Sequence, residues 1–149
     1  MLIKSICNPE AVSCGATTTV VEAAALMRKH HVGDLVVVGE PNEGPVPLGV
    51  VTDRDLVVEV LGMALDPSTT RVSAILRKPV IVAHDTEEVP QVIERMKTHG
   101  VRRIPVVDRG GALVGIITLD DLLGLVAADL NALADLVARQ PGRERRARR

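Results

Sequence analysis

The sequence predicts an α+β fold of two pseudo-symmetric β-α-β-β-α units packed sheet to sheet as one module. Three observations carry that expectation. The stretch GVVTDRDLV at residues 49–57 returns as GIITLDDLL at residues 115–123, an offset of 66. VVEAAALM at residues 20–27 returns as VPQVIERM at residues 89–96, an offset of 69. After each helical stretch, and before the motif that ends its unit, stands a short apolar run, LVVV from Leu35 and IPVV from Ile104. Repetition over most of a chain marks one supersecondary unit used twice.

Each element follows from its own pattern. AVSC at residues 11–14 and VIVA at residues 80–83 have the length of single short strands. Val20, Ala24 and Met27, like Val89, Ile93 and Met96, recur at three- and four-residue steps and so lie on one helical face. Thr19 with Glu22, and Asp85 with Glu88, have the spacing of an N-terminal capping box or a close variant, and His31 and His99 fall near the helix ends. The two apolar runs and the two runs ending in the repeated motif then read as strand, turn, strand. The first turn, Gly39 to Pro47, is longer than the second, Asp108 to Gly111, which accounts for the three-residue change in offset. A unit of roughly sixty residues has little core of its own, so two should pack together. The expected division is unit 1 over residues 8–62, a linker over 63–78, unit 2 over 79–127, a helical extension over 128–139 and a basic disordered tail over 140–149.

Composition narrows the function. A chain of 149 residues can bury about 70% of its unfolded surface. Hydrophobic residues make up 46%, yet Phe, Tyr and Trp are absent, so the core must be Val, Leu, Ile, Ala and Met, and no aromatic ring can stack on a base. The net charge of −1 hides an asymmetry: six arginines against Glu144 give residues 139–149 a charge of +5, which leaves −6 for residues 1–138. An arginine run after Pro-Gly is read as a solvated end rather than a nucleic-acid or lipid site. Cys7 and Cys14 lack the spacing of a redox or zinc motif and are read as reduced thiols. No apolar run approaches the ~18 residues of a membrane span, and the N-terminus lacks a secretory signal, so a cytoplasmic protein is expected.

The repeated elements, HGVRRIPVVD at residues 99–108 and the strand end GIITLDD among them, resemble the paired cystathionine-β-synthase (CBS) domain, or Bateman module, over about residues 11–127. That resemblance implies a module with two clefts in which adenosine-containing ligands bind. The family's T-x-x-D pattern falls on Thr52 with Asp55 and on Thr118 with Asp121. A threonine hydroxyl and free N–H groups at a helix start suit a phosphate, and an aspartate three residues on can accept both hydroxyls of a ribose. The same residues also serve as helix caps without any ligand; their recurrence in both units favours the binding role.

In the family the RRIP strand, here Arg102, Arg103, Ile104 and Pro105, lines a cleft and offers a basic group to phosphate. Strand alternation would send at most one of the two arginines into a given cleft. The first unit has GDLV at Gly33 to Val36 instead, and Asp34 would repel a phosphate. The second unit's cleft, with Thr118 and Asp121, is therefore expected to bind better, Asp121→Ala costing more affinity than Asp55→Ala. A base would lie between aliphatic groups such as Ile104 and Pro105.

Nothing points to catalysis. The pairs Asp53/Asp55 and Asp120/Asp121 have no histidine at ligand spacing, and no phosphate loop or nucleophile elbow is present. The reading is a non-catalytic regulatory protein, requiring no cofactor, that senses AMP, ADP, ATP or another adenosyl compound and acts on an unknown regulated protein. It is expected to be a homodimer with no membrane or nucleic-acid partner. The alternative is a structural dimerisation module with degenerate clefts. Leu122, Val126, Leu130, Leu133 and Val137 form a stripe on a helix from Leu119 to Val137 that either folds back on the module or makes a subunit contact.

Overall fold

The computed structural model describes residues 1–39 and 45–147. Its elements are β1 (Ser13–Gly15), α1 (Val20–His30), β2 (Asp34–Val38), β3 (Pro47–Thr52), α2 (Asp53–Asp55) prolonged by a π-helical stretch (Leu56–Leu61), β4 (Ala83–His84), α3 (Val89–His99), β5 (Arg103–Val107), β6 (Leu113–Thr118) and α4 (Leu119–Ala147). They form two three-stranded sheets, β1-β2-β3 and β4-β5-β6, so the two-unit α+β expectation holds. The chain divides into two compact bodies, Met1–Ile117 and Thr118–Arg149. Both sheets belong to the first except for the last residue of β6.

Local chemistry sets the element ends. Thr19 caps α1 with the expected box: Glu22 N–H donates to Thr19 Oγ1 at 3.3 Å and Thr19 N–H donates to Glu22 Oε2 at 2.8 Å. In the second unit the box lies three residues later than expected. α3 starts at Val89 with Pro90 in its first turn, where a missing N–H costs nothing, and Glu88 N–H donates to Gln91 Oε1 at 2.9 Å. Both helices end on a left-handed residue, His31 with φ 54° and Gly100 with φ 63°. In the tight turn before β6, Asp108 Oδ1 accepts from Gly110 and Ala112 N–H, each at 2.9 Å.

β1 runs parallel to β2, and β2 antiparallel to β3 with Leu35 opposite Val51 and Val36 opposite Val50. Apolar runs on two-sided strands become the core: Leu35, Val36, Val37, Val51, Ile104, Val106 and Ile117 are all fully buried. Met27 and Met96, at equivalent places in α1 and α3, are both nearly so. Cys14 joins this core, and burial pushes its thiol pKa up against a hydrogen bond with Thr18.

The units exchange segments. A 3-10 turn at Ile3–Ser5 docks on the second repeat, with Ile3 N–H to Glu87 O at 2.9 Å and Asn8 and Ile116 exchanging bonds of 2.8 and 2.9 Å. Its equivalent at Val72–Ala74 lies in the stretch read as a linker and docks on the first repeat, with Val72 N–H to Thr18 O at 2.9 Å. Ile3 and Val72 are fully buried. Gly115 is where the exchange is tightest: a Cβ there would stand 2.7 Å from Asn8 O.

α4 continues to Ala147, past residue 140 where the sequence reading begins a disordered tail. Gln, Glu, Arg and Ala dominate that stretch and are good helix formers, and Pro141 and Gly142 do not end the helix. Residues 148 and 149 lie outside the described residues, as do residues 40–44 of the first turn.

Candidate functional site

A cavity of about 650 Å³ opens in the first body, within the range of small-molecule sites. Three elements build it: the end of β3 with α2, the segment from Arg77 to Ile81 that leads into β4, and the turn from His99 to Arg103 that leads into β5. Both repeats therefore contribute. Its apolar wall is Val50, Pro79, Val80, Ile81 and Val101. Its basic groups are Arg54, Arg77, Lys78, Arg102 and Arg103 against the carboxylates of Asp53 and Asp55, a formal balance of +3.

Thr52 and Asp55 close the β3–α2 turn as a capping box. Asp55 N–H donates to Thr52 Oγ1 at 3.2 Å, and Thr52 N–H donates to Asp55 Oδ2 at 2.9 Å. One carboxylate oxygen is thereby spent. The other, Oδ1, faces Arg77 Nη2 at 3.8 Å, an arginine that is 81% exposed and so held weakly. The capping role is real, and it leaves Asp55 Oδ1 and the Thr52 hydroxyl proton outside the bonds of the box, on two residues that line the cavity.

Thr118 and Asp121 repeat this box at the start of α4. Thr118 N–H and Oγ1–H both donate to Asp121 Oδ2, at 2.8 and 2.7 Å, and Asp121 N–H donates to Thr118 Oγ1 at 3.2 Å. Here the threonine hydroxyl proton is already used, which it is not in the first box. These two residues belong to the second compact body.

The arginines fall differently from the sequence reading. Arg102 and Arg103 line the same cavity as Thr52 and Asp55, the motif of the other repeat. Both do so because β5 begins only at Arg103, so Arg102 precedes the strand and alternation does not separate them. Ile104 and Pro105 follow within the strand; both are fully buried and neither lines the cavity. The residues that replace them as an apolar wall, Pro79 to Ile81, carried a signal in the sequence: an apolar run after Lys78-Pro79 longer than β4 needs.

Asp34 is the acidic neighbour. Its carboxylate lies 3.2 Å from Arg103 Nη1, with 22% and 29% of the two side chains exposed. Burial raises the Asp34 pKa above its ordinary value; Arg103 pulls it back and Asp53 adds repulsion. Arg103 Nε is buried without a hydrogen-bond partner, so this guanidinium is incompletely satisfied. Among the described residues no group of three or more His, Cys, Asp or Glu is placed to hold a metal ion, and no helix is long and apolar enough to cross a membrane.

Tandem β-α-β-β-α repeats with a Thr-x-x-Asp box apiece, and a basic cleft drawn from both, define a paired-repeat cleft protein. The chain belongs to the CBS domain family, whose model matches residues 3–62 and 72–128. A protein of Methanopyrus kandleri is 35% identical over 121 residues, 81% of this chain; the chain spans 60% of that relative's length. The CBS domain pair of protein MJ0100, in complex with 5′-methylthioadenosine and S-adenosyl-L-methionine, superposes with a TM-score of 0.74 at 26% identity, covering 87% of this chain and 98% of that one. A CBS domain protein from Pyrobaculum aerophilum complexed with AMP gives 0.72 at 29% identity, covering 82% and 90%.

Proposed function

We propose that the protein is a non-catalytic regulatory module that senses an adenosine nucleotide in the cavity beside Thr52 and Asp55. The observation that carries this is the gathering of Arg77, Lys78, Arg102 and Arg103 opposite a hydroxyl and a half-used carboxylate. The carboxylate accepts ribose hydroxyls, the cations take the phosphates, and Val80 and Ile81 bed the base. The ligands held by the MJ0100 pair and by the Pyrobaculum protein are of this chemistry. Because the arginines stand with Asp55, the ranking expected from sequence is reversed: Asp55→Ala costs more affinity than Asp121→Ala. Homodimerisation, a cytoplasmic location and a regulated protein partner belong to the same reading.

Isothermal calorimetry on the full chain with adenosine, AMP, ADP, ATP and S-adenosyl-L-methionine tests it. A charged hydrogen bond contributes about 1.5–3 kcal/mol, so Asp55→Ala should weaken the preferred ligand at least about tenfold. An absorbance peak near 260 nm in protein freed of nucleic acid would report a co-purified base, since the chain lacks Tyr and Trp. No binding of any of the five, and no such peak, leaves the structural dimerisation module as the better reading.

A further inference from the structure

His99 has no role in the binding described so far, yet it lines the same cavity. It is the last residue of α3, and Gly100, left-handed with φ 63°, turns the chain there into the segment that carries Arg102 and Arg103. The other histidines, His30, His31 and His84, do not line the cavity. Among the described residues the His99 side chain has neither a hydrogen-bond nor an ion-pair partner. Gly100 keeps the space beside it open, since a Cβ there would meet nothing within 4 Å. The first repeat makes the same left-handed turn on His31, φ 54°, so the backbone alone does not demand glycine.

We propose that His99 is a proton-coupled phosphate contact, binding the nucleotide's phosphate as an imidazolium and taking up a proton from solvent as the ligand enters. This rests on the nucleotide reading of the cavity and adds a dependence on pH to it. The charges around the imidazole explain why protonation accompanies the ligand. Its own turn brings Arg102 and Arg103, and the segment joining the repeats brings Arg77 and Lys78. From α2 come Arg54 and the carboxylates of Asp53 and Asp55. Asp34 is engaged by Arg103 at 3.2 Å, and on α3 Lys97 is engaged by Glu94 at 3.6 Å. A cavity with surplus positive charge offers an imidazolium no anion of its own, and a phosphate supplies one. Histidine is the side chain that ordinarily changes charge between pH 5 and 8, so this contact responds to pH where arginine and lysine contacts do not. Phosphate itself titrates with a second pKa near 6 and opposes the effect in mild acid. The histidine contribution is therefore the difference between the parent and His99→Asn.

Proton NMR of the imidazole C2–H signals of the full chain, with His99 assigned by its loss in His99→Asn, reads the contact directly. At pH 7, AMP and ATP should move that signal toward its protonated position, and adenosine should leave it in place. Calorimetry in two buffers of different ionisation heat should show more proton uptake with the parent than with the variant. A charged contact that holds phosphate about tenfold tighter than the neutral ring widens the parent's advantage in AMP affinity by about fivefold between pH 8 and pH 6. His99→Gln replaces the asparagine if that variant melts below the parent. A signal that AMP and ATP leave in place, or equal proton uptake by parent and variant, overturns the inference while the nucleotide reading stands. Failure of the parent to bind AMP or ATP at either pH overturns both.

Discussion

Asp34→Asn isolates the electrostatics of the cleft, because it removes one charge and almost no volume. Asp34 holds Arg103 at 3.2 Å, so part of that cation is spent before any phosphate arrives. A phosphate on the open side of the guanidinium would lie about 6 Å from the carboxylate, where two unit charges at an effective dielectric near 20 repel by about 2.8 kcal/mol. Salt screening at a partly exposed site reduces this by about half. The substitution should therefore tighten ATP by about tenfold, AMP by less, and adenosine not at all.

Stability moves independently. Asp34 keeps its proton to a higher pH folded than unfolded, chiefly through burial. Such a group favours the fold most below its unfolded pKa, near 3.8, and that contribution is lost as pH rises through the raised folded value. The amide imitates the protonated form, so the variant should be at least as stable as the parent at pH 7 and lack this part of the pH dependence. Calorimetry with the three ligands and circular dichroism melts from pH 3.5 to 7 measure both. An equal change for ATP and adenosine would refute the placement of phosphate beside Arg103, and a large loss of stability at pH 7 would refute the argument from burial.

Three further substitutions probe the frame around the site. Gly115→Ala drives a methyl onto Asn8 O and strains the two Asn8–Ile116 bonds, so about 2–4 kcal/mol should be lost in urea unfolding; a loss below about 0.5 would mean that the N-terminal segment is not docked there. Arg95→Ala removes a bidentate pair with Glu87 at 2.9 and 2.7 Å and a 2.7 Å bond to Val82 O, with an expected loss of about 1.5–3 kcal/mol at pH 7. Burial raises the Glu87 pKa, but bonds from Arg95 and His84 N–H outweigh it and leave it lowered; the contribution is present above the ordinary 4.5 and lost as pH falls through the folded value, so parent and variant should converge in acid. His31→Gly relieves a left-handed residue where the other repeat already has Gly100, and thermal melts should show a gain of about 0.5–1 kcal/mol.

Periodicity made the helices, the strands and both Thr-x-x-Asp boxes legible, because each depends on neighbours a few residues away. What it missed depends on chain crossing. Arg102 and Arg103 follow α3 in sequence and were paired with the motif that follows them, whereas the fold carries them to Thr52 and Asp55 across the interface of the repeats. The exchanged segments were missed for the same reason, although a signal existed: LIKSI at residues 2–6 and RVSAI at residues 71–75 stand 69 apart, the offset of the helices. The repeat therefore reaches into the linker and marks it as part of the fold. The course of α4 beyond residue 140 was read from Pro-Gly alone, and the helix formers around it prevailed.

The crossing also bears on how such a site would act on the proposed reading. Asp55 and Thr52 come from one repeat, and Arg102 and Arg103 from the other, while Arg77 and Lys78 sit on the chain that joins them. On the proposed reading, a bound nucleotide touches all three at once, and its ribose and phosphates cannot both be satisfied unless the repeats keep the spacing seen here. A ligand shifts a packing equilibrium only by its difference in affinity for the two states, and a site divided between the repeats makes that difference large. The Asp34–Arg103 pair already spans them without ligand, so a phosphate does not create the contact between repeats but competes for one end of it. Occupancy then divides Arg103 between an internal and an external anion, and ligands with more phosphate charge should shift the packing further than adenosine does.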